Sequence, residues 1–183
     1  FSPGLLRNRL RLTARRAAPR GRLRIASSVP FGRMFGAPAA AAFMAEHPEV
    51  NIELLLLDRI VDLVEEGIDM AVRVARLPDS TMVAHAVGET RRVVVASPAL
   101  IESSGLPKRP EDLRGRRCVT FTGMASPGHW NLREGRKRVQ VAIKSALVTN
   151  QIDAGVLACV QSVGFGQFFD YHVLAEIKAG KLV

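Results

Sequence analysis

The sequence predicts an α/β protein made of two wound lobes, and three observations support that prediction. First, short apolar runs of strand length alternate with segments of helical periodicity from residue 23 to residue 75, as in right-handed βαβ units. Second, the run VNIELLLL at 50–57 is almost continuously apolar, which is typical of a parallel strand covered on both faces. Third, a similar alternation begins again after the polar, proline-punctuated stretch 106–117.

The first half of the chain predicts five elements. In chain order they are strand 23–27, helix 31–47, strand 50–57, helix 58–66 and strand 68–75. Asp58 suits the N-cap of the second helix and Gly67 its C-terminal stop, because a short side-chain oxygen satisfies free N–H groups and glycine tolerates a left-handed backbone. The apolar residues of that helix are expected to face the core: Ile60, Val61, Leu63 and Val64.

The second half continues with the same kinds of element, less regularly. In chain order we expect strands MVAHAVGE and TRRVVVASP over 82–98, helix 99–104, strand 118–122, an irregular loop 123–130, a hairpin over 131–143 that turns at Glu134 and Gly135, strand 146–150, helix 152–162, a last strand after GFGQFF, and a helical turn at 174–179. The polar segment 106–117 is a candidate linker, because its prolines interrupt regular structure.

Positive charge is concentrated at the start of the chain. The net charge is +9, yet nine arginines and no acidic residue precede Glu46, and the residues from there onward hold 17 basic and 17 acidic side chains. The basicity therefore belongs to an arm, and we expect the body to bind something small. Residues 1–20 have apolar residues at helical spacing and remain open to three interpretations: the tail of a longer helix, an organellar presequence or a disordered arm.

The cysteines and histidines do not suggest a metal site or a catalytic centre. Cys118 and Cys159 lie in different apolar segments, which favours two buried thiols of a cytoplasmic protein over a disulfide. The histidines have no ligand spacing, and no Ser-His-Asp or Cys-His pattern occurs. The GFG at 164–166 lacks the further glycine of a dinucleotide motif. We therefore expect no enzyme activity, no metal, no cofactor and, without an apolar run of 18 residues, no membrane span.

Several motifs resemble those of one family. The segments GRLRIASS at 21–28 and FMAEHPEVNIELLLL from residue 43, followed by DLVEEGID, AVR and VVVASP between Asp58 and Pro98, resemble the effector-binding domain of LysR-type transcriptional regulators. The resemblance covers about residues 21–183. It implies a periplasmic-binding-protein-like fold of type II, with two Rossmann-like α/β lobes joined by crossing strands and a small-molecule effector in the cleft between them.

The resemblance also implies a domain division. Residues 21–97 would form the first lobe, without its C-terminal strand and helix, and residues 98–183 the second, while residues 1–20 would be a remnant of the linker helix or a basic arm. The family carries a winged helix-turn-helix upstream, so DNA would be bound only through that missing N-terminal domain. Self-association into a dimer or tetramer is expected as well.

Candidate effector-binding residues in the first lobe follow the strands. Parallel strands place ligands at their carboxyl ends, beside the free N–H groups of helix N-termini. Ser27 and Ser28 follow the first strand, and Asp58 and Arg59 follow the second. Each serine is also a plausible turn or cap residue, and Asp58 a plausible helix cap. Arg73 interrupts the third strand, so its guanidinium requires either a wet cleft with an anionic effector or an ion pair with Asp58 or Asp69.

In the second lobe the resemblance places the strand CVTFT near the cleft floor. Thr120 and Thr122 share one face of that strand, and we expect Asn150 and the loop 163–166 to close the other wall of the cleft. Gly164 and Gly166 of this loop are equally consistent with helix termination. The family usually continues with an aliphatic residue and proline here, whereas this chain reads Phe168-Phe169-Asp170.

The sequence therefore predicts the small-molecule-sensing domain of a LysR-type transcriptional regulator. The alternative with the same fold is a solute-binding protein of a transport system. That alternative requires an export signal, and the arginine-rich start has no apolar core of the kind that such signals contain.

Overall fold

The computed structural model describes residues 18–59, 61–75, 82–122 and 128–183, and the helix considered within residues 1–17 lies outside them. The chain divides into two compact units, Phe1–Leu77 and Pro78–Val183. The predicted boundary between residues 97 and 98 is therefore displaced, because the strand before it is hydrogen-bonded within the second unit.

The first unit is built around a small parallel sheet. Its described elements are β1 Gly21–Ser27, α1 Val29–Phe31, a π-helical turn Gly32–Gly36, α2 Ala37–Glu46, β2 Val50–Leu56 and β3 Met70–Val72. The strand order is β2-β1-β3, with all three strands parallel. The strands predicted at 23–27 and 50–57 and the first helix are thus confirmed, although the helical segment begins at Val29 and contains a π-helical turn.

The approach of helix to sheet explains a glycine of this unit. Gly32 is buried, and a β-carbon at this position would collide with the Leu56 side chain on β2. Gly32 therefore allows the helical segment to lie closer to the strand than a residue with a side chain would. Ala26, Val61 and Ile68 form the buried core of the unit.

The predicted helix 58–66 is wrong: its described residues form bends, coil and a turn. The turn starts at Asp62, whose carboxylate accepts hydrogen bonds from the backbone N–H groups of Val64 and Glu65. It ends at Gly67, which has a φ of 58°, as the predicted stop requires. Val61 is buried as predicted, whereas Val64 is 79% exposed and does not face the core.

Two predicted strands also differ from the structure. The strand expected over 68–75 is limited to β3, because only three residues pair with β1. The strand expected over 82–89 is absent, and those residues are exposed coil with Val83 85% and Val87 74% exposed. Alternating apolar residues form a strand only where a partner strand is available.

The second unit contains a mixed sheet and a separate hairpin. Its elements are β4 Arg92–Val95, α3 Pro98–Ser104, a 3₁₀ turn Pro110–Leu113, β5 Arg117–Phe121, β6 His129–Glu134, β7 Lys137–Ala142, β8 Lys144–Thr149, α4 Ile152–Val160, β9 Phe165–Phe169 and α5 Asp170–Lys178. The sheet order is β4-β9-β5-β8, in which only β4 is antiparallel to its neighbour, and β6 and β7 form the hairpin.

Most predictions for this unit are confirmed, with shifted ends. The helix at Pro98 is capped by Ser97, whose Oγ accepts a hydrogen bond from Leu100 N. The hairpin turns after Glu134 as predicted. Three bounds change: β6 begins within the predicted loop at His129, GFGQFF itself supplies the last strand, and the final helix begins at Asp170.

The sheet of the second unit has a core on each face. One contains Val119, Cys159 and Val173, and the other contains Cys118 and Trp130. Neighbouring residues of a strand point to opposite faces, so Cys118 and Cys159 are on different sides of the sheet. Both are free and buried, as predicted, and burial raises the pKa of each thiol to about 12.

No helix within the described part of the chain is long and apolar enough to cross a membrane.

Candidate functional site

The three strands of the first unit end at one edge of their sheet. Ser27 at the end of β1 is level with Leu56 on β2 and Val72 on β3. The residues predicted to bind an effector, Ser27, Ser28, Asp58, Arg59 and Arg73, all lie at this carboxyl edge or directly after it. Open parallel sheets bind their ligands at this edge.

Ser27 is the residue at this edge with an unsatisfied polar group. It is 5% exposed, and its Oγ has no hydrogen-bond partner among the described residues. A buried hydroxyl without a partner costs free energy. Its backbone, by contrast, is used by the fold, because Ser27 O accepts a hydrogen bond from Leu57 N at 2.8 Å.

Asp58 caps a helical segment from a distant part of the chain. Its Oδ1 accepts a hydrogen bond from the backbone N–H of Val29, at 3.0 Å. Ser28 precedes that segment in an extended conformation and makes no side-chain cap bond. Asp58 thus performs the capping role expected of it, but for the helix after β1 and not for a helix of its own. It also places a negative charge at the edge of the sheet.

Arg59 is held by an acidic neighbour. Its Nη1 and Nη2 donate hydrogen bonds to the two carboxylate oxygens of Glu66, at 2.7 and 2.8 Å. This forked hydrogen bond lowers the pKa of the Glu66 carboxyl below its ordinary value. The Arg59 side chain is 60% exposed, so the pair lies at the surface.

Arg73 does not interrupt a strand, because β3 ends at Val72. It is exposed, and its Nη2 donates a hydrogen bond to the Val61 carbonyl at 2.7 Å. Within the described residues it forms no ion pair with Asp58, and Asp69 instead accepts a hydrogen bond from Arg24 N. The structural ion pair considered for Arg73 is therefore wrong, and Arg73 has one side-chain hydrogen bond among the described residues.

In the second unit two of the predicted residues share a sheet edge. Thr122 follows β5, and Asn150 follows the adjacent strand β8. Both are exposed, and Thr122 N donates a hydrogen bond to Thr149 O at 3.0 Å. Thr120 is different: it is buried, and its Oγ1 lies 2.9 Å from Ser145 Oγ. Its hydroxyl is therefore already used between strands.

The two predicted glycines lie away from that edge and have packing roles. A β-carbon on Gly164 would be 2.6 Å from the Arg117 carbonyl oxygen. One on Gly166 would be 2.5 Å from Cys159 Sγ and would also collide with the Phe168 ring. Gly164 directly precedes β9, whose first residue pairs with Cys118 on β5, so it lies beside the amino end of β5 and not beside Thr122.

Comparison with known proteins identifies the family. The family model described as the LysR substrate binding domain matches residues 16–183. The chain belongs to the LysR substrate-binding domain family.

The relatives of this LysR domain include named regulators. An HTH-type transcriptional repressor, PA14_22550 of Pseudomonas aeruginosa, is 33% identical over 91% of this chain and 53% of its own length. The HTH-type transcriptional regulator DmlR of Escherichia coli is 31% identical, over 92% of this chain and 55% of its own length. The chain thus spans about half the length of the curated relatives that it matches.

Solved structures agree with this assignment. The CrgA regulatory domain of Neisseria meningitidis, a LysR-type transcriptional regulator, is 27% identical with a TM-score of 0.76 and covers 90% of this chain and 80% of that chain. Two predictions are confirmed: the fold is α/β of the type II periplasmic-binding-protein-like kind, and the chain is a ligand-sensing regulatory domain rather than a transport protein.

Sequence reasoning missed two side chains at the edge of the second unit. Arg92 begins β4 and pairs with Phe169, the last residue of β9. The Arg92 guanidinium carbon lies 4.9 Å from the centroid of the Phe169 ring, a cation–π arrangement. Only the antiparallel pairing of β4 with β9 brings them together, and that pairing leaves no local signal. One indication of this region was present, because Phe168-Phe169-Asp170 departs from the aliphatic residue and proline that the family usually has here.

Proposed function

We propose that the carboxyl edge of the β2-β1-β3 sheet binds the small-molecule effector of a LysR-type transcriptional regulator. The observation that carries the proposal is the buried Ser27 hydroxyl, which lacks a partner among the described residues. Protein folds rarely leave such a group unsatisfied, and exceptions are often functional. Ser27 lies where parallel sheets bind their ligands.

The neighbouring charges suggest the chemistry of the effector. Arg73 lies after β3 with guanidinium donors beyond its bond to Val61, so it suits an anionic group. Asp58 uses one carboxylate oxygen for Val29 N, and its other oxygen suits a hydrogen-bond donor. We therefore infer an effector that carries both an anionic group and a donor such as a hydroxyl or an amine. Ser28 completes this part of the proposed site.

In the second unit, Thr122, Asn150 and Arg92 stay proposed effector contacts, because Thr122 and Asn150 are exposed at a sheet edge and Arg92 lies over the Phe169 ring. Thr120, Gly164 and Gly166 have contacts within the fold, and we propose that they shape the site without contacting the effector. Arg59 is proposed only as a peripheral contact, because Glu66 already holds its guanidinium.

The remaining properties of the whole protein follow from its relatives. These are named as HTH-type transcriptional regulators, which supports a regulatory and non-enzymatic role. We propose that DNA is read by a separate N-terminal domain, that the protein is cytoplasmic, and that it acts as a dimer or tetramer. Effector binding would then favour one conformation of the domain over another.

A thermal-shift screen with small anions that also carry hydroxyl or amino groups tests the proposal. A ligand present at about 100 times its dissociation constant should stabilise the folded protein by roughly 2.7 kcal/mol. Ser27→Ala should abolish the shift. Ser103→Ala is the matched control, because Ser103 is exposed and its hydroxyl bonds to Leu100 O and to no other described residue. A ligand whose shift survives Ser27→Ala and Arg73→Gln binds elsewhere, and that result contradicts the proposed site.

A further inference from the structure

The second unit carries a concentration of positive charge that its overall composition conceals. Residues 46–183 are formally neutral, yet the stretch 108–144 holds ten basic and three acidic residues. The structure brings the two ends of this stretch together. Arg109 near the 3₁₀ turn bonds to Glu134 on the hairpin at 2.7 Å, and Gly115 N donates to Ala142 O at 3.0 Å.

The outer face of the β6–β7 hairpin is polar and cationic. Two cross-strand pairs form it: Arg133 lies opposite Arg138, and Asn131 lies opposite Gln140. All four residues are exposed. The inner face is apolar, with Trp130 and Val141 buried in a core. The hairpin is therefore fixed to the unit by one face and presents a ribbon of guanidinium and amide groups on the other.

The arginine pair is unfavourable for the hairpin alone, because like charges directly opposite each other in a sheet repel. Within the described residues the guanidinium groups of Arg133 and Arg138 make no ion pair or hydrogen bond. Their neighbours behave differently: Arg109 is paired with Glu134 and Arg114 with Glu111. Unpaired arginines on a rigid ribbon are available for an external anion.

The composition of this surface favours a nucleic acid over a protein as the partner. Between Leu106 and Leu147 the described residues expose no large apolar side chain. Protein interfaces usually have an apolar or aromatic centre, which this surface lacks. Contacts to DNA phosphates are made by the groups that it does offer, arginine guanidinium and side-chain amides.

We propose that the outer face of the β6–β7 hairpin binds the phosphate backbone of double-stranded DNA. Arg133 and Arg138 contact phosphates, and Asn131 and Gln140 donate neutral hydrogen bonds beside them. The contact is independent of base sequence and adds affinity to whatever segment of the whole protein reads bases. It goes beyond effector sensing, in which the DNA-binding segment lies outside this domain.

The test is the salt dependence of binding to DNA of random sequence. Anisotropy of a fluorescent duplex of about 20 base pairs is measured with the 183-residue chain between roughly 50 and 200 mM salt. Each phosphate contact contributes about 0.9 to the slope of log K against log salt, so R133Q/R138Q should make the slope shallower by about 1.8. The salt-dependent loss of affinity across that range should then be about 12-fold smaller than in the wild type.

The matched control is K178Q/K181Q, which removes the same charge. These lysines lie at the end of α5 and just after it, where Val173 and Leu182 pack on the other face of the sheet. The control should leave the slope close to the wild-type value. The basic arm at residues 1–20 is identical in all variants and cancels in the comparison.

Three results would overturn the proposal. The first is an unchanged slope for R133Q/R138Q. The second is an equal change for K178Q/K181Q, which would mean that net charge alone matters. The third is a loss of binding to poly-glutamate without any change for DNA, which would indicate an acidic protein partner. If the double variant does not fold, R138Q alone should reduce the slope by about 0.9.

Discussion

Two buried serines lie where a strand leads into a helical segment, one in each unit, and the fold treats them differently. Ser27 is the last residue of β1 and precedes the N-cap residue Ser28, whereas Ser97 follows β4 and is itself the N-cap of α3; they are 5% and 3% exposed. Ser97 Oγ accepts a hydrogen bond from Leu100 N and lies 2.7 Å from Ser162 Oγ. Ser27 Oγ has no partner among the described residues.

The difference separates residues that hold the fold from residues available to a ligand. In the second unit, several residues predicted to bind an effector already have contacts within the fold, as Thr120 and Gly164 illustrate. In the first unit, the Ser27 hydroxyl has no partner among the described residues, and Arg73 has guanidinium donors beyond the one bonded to Val61. Burial of a polar residue therefore does not by itself indicate a ligand site, and the proposed site is based on burial without a partner among the described residues.

The largest expected effect is a loss of stability when Gly164, a residue with a packing role, is replaced. In Gly164→Ala the new β-carbon would be 2.6 Å from the Arg117 carbonyl oxygen, and the backbone has little room to move. We expect a loss of about 3 kcal/mol in the free energy of unfolding, at the upper end of overpacking costs. Fluorescence of Trp130, the single tryptophan, reports on this unit during urea unfolding.

Gly36→Ala is its control. Gly36 is in a helical conformation, and its β-carbon would meet Leu54 at an ordinary 3.8 Å. Alanine is the better helix former by about 1 kcal/mol, so this variant should be slightly more stable than the wild type. Equal losses for the two substitutions would contradict the packing role given to Gly164.

The next effect tests the two serines directly. Ser97→Ala removes the cap of α3 and leaves Ser162 Oγ without its partner, so we expect a loss of about 1–2 kcal/mol. Ser27→Ala removes a hydroxyl that makes no hydrogen bond to any described residue, so the free energy of unfolding should be unchanged or higher. Urea titrations followed by circular dichroism measure both. A comparable loss for Ser27→Ala would mean that its hydroxyl stabilises the fold after all.

A smaller effect is expected for the cap that Asp58 provides. Asp58→Ala leaves Val29 N without its side-chain acceptor, which should cost about 0.5–1 kcal/mol. Asp58→Asn keeps an acceptor oxygen in place and should recover most of that loss. If asparagine is as destabilising as alanine, the carboxylate acts through its charge rather than as a cap, and the geometry given for this edge must be revised.

Local signals in the sequence were enough for much of the fold. The proline at position 98 indicated the start of α3 within one residue, and the glycine after Glu134 indicated the hairpin turn. The helix predicted at 58–66 failed because Asp58 caps a segment about thirty residues earlier in the chain. A capping residue in the sequence indicates that the N-terminal N–H groups of some helix have an acceptor, but it does not indicate which helix that is.

The site was predictable in part for the same reason. Strand ends followed by polar residues indicated the carboxyl edge of the first unit, including Ser27, whereas Arg73 was predicted inside a strand and instead follows β3. The edge of the second unit was harder to predict, because Arg92 and Phe169 meet only through the pairing of β4 with β9. Likewise, nothing local distinguishes Thr120, whose hydroxyl is used, from Thr122, whose side chain is exposed.

The smallest expected effect is a pH dependence at the second unit's edge, where Asp170 is another group that the fold uses. A hydrogen bond from Thr90 Oγ1, at 2.7 Å, lowers the pKa of the Asp170 carboxyl below its ordinary value, with help from the backbone N–H of Tyr171 and the nearby Arg91. A lowered folded-state pKa means that the stabilisation is complete above the unfolded value of about 3.9 and is lost as pH falls through the folded value. Thr90→Val should therefore lower the stability at pH 7, and its difference from the wild type should shrink as pH falls below about 4, so that the acid limb of the variant is flatter. Urea midpoints are measured for both proteins from neutral pH down through that acid range. If the midpoint falls equally with pH in the wild type and the variant, Thr90 does not set the charge state of Asp170.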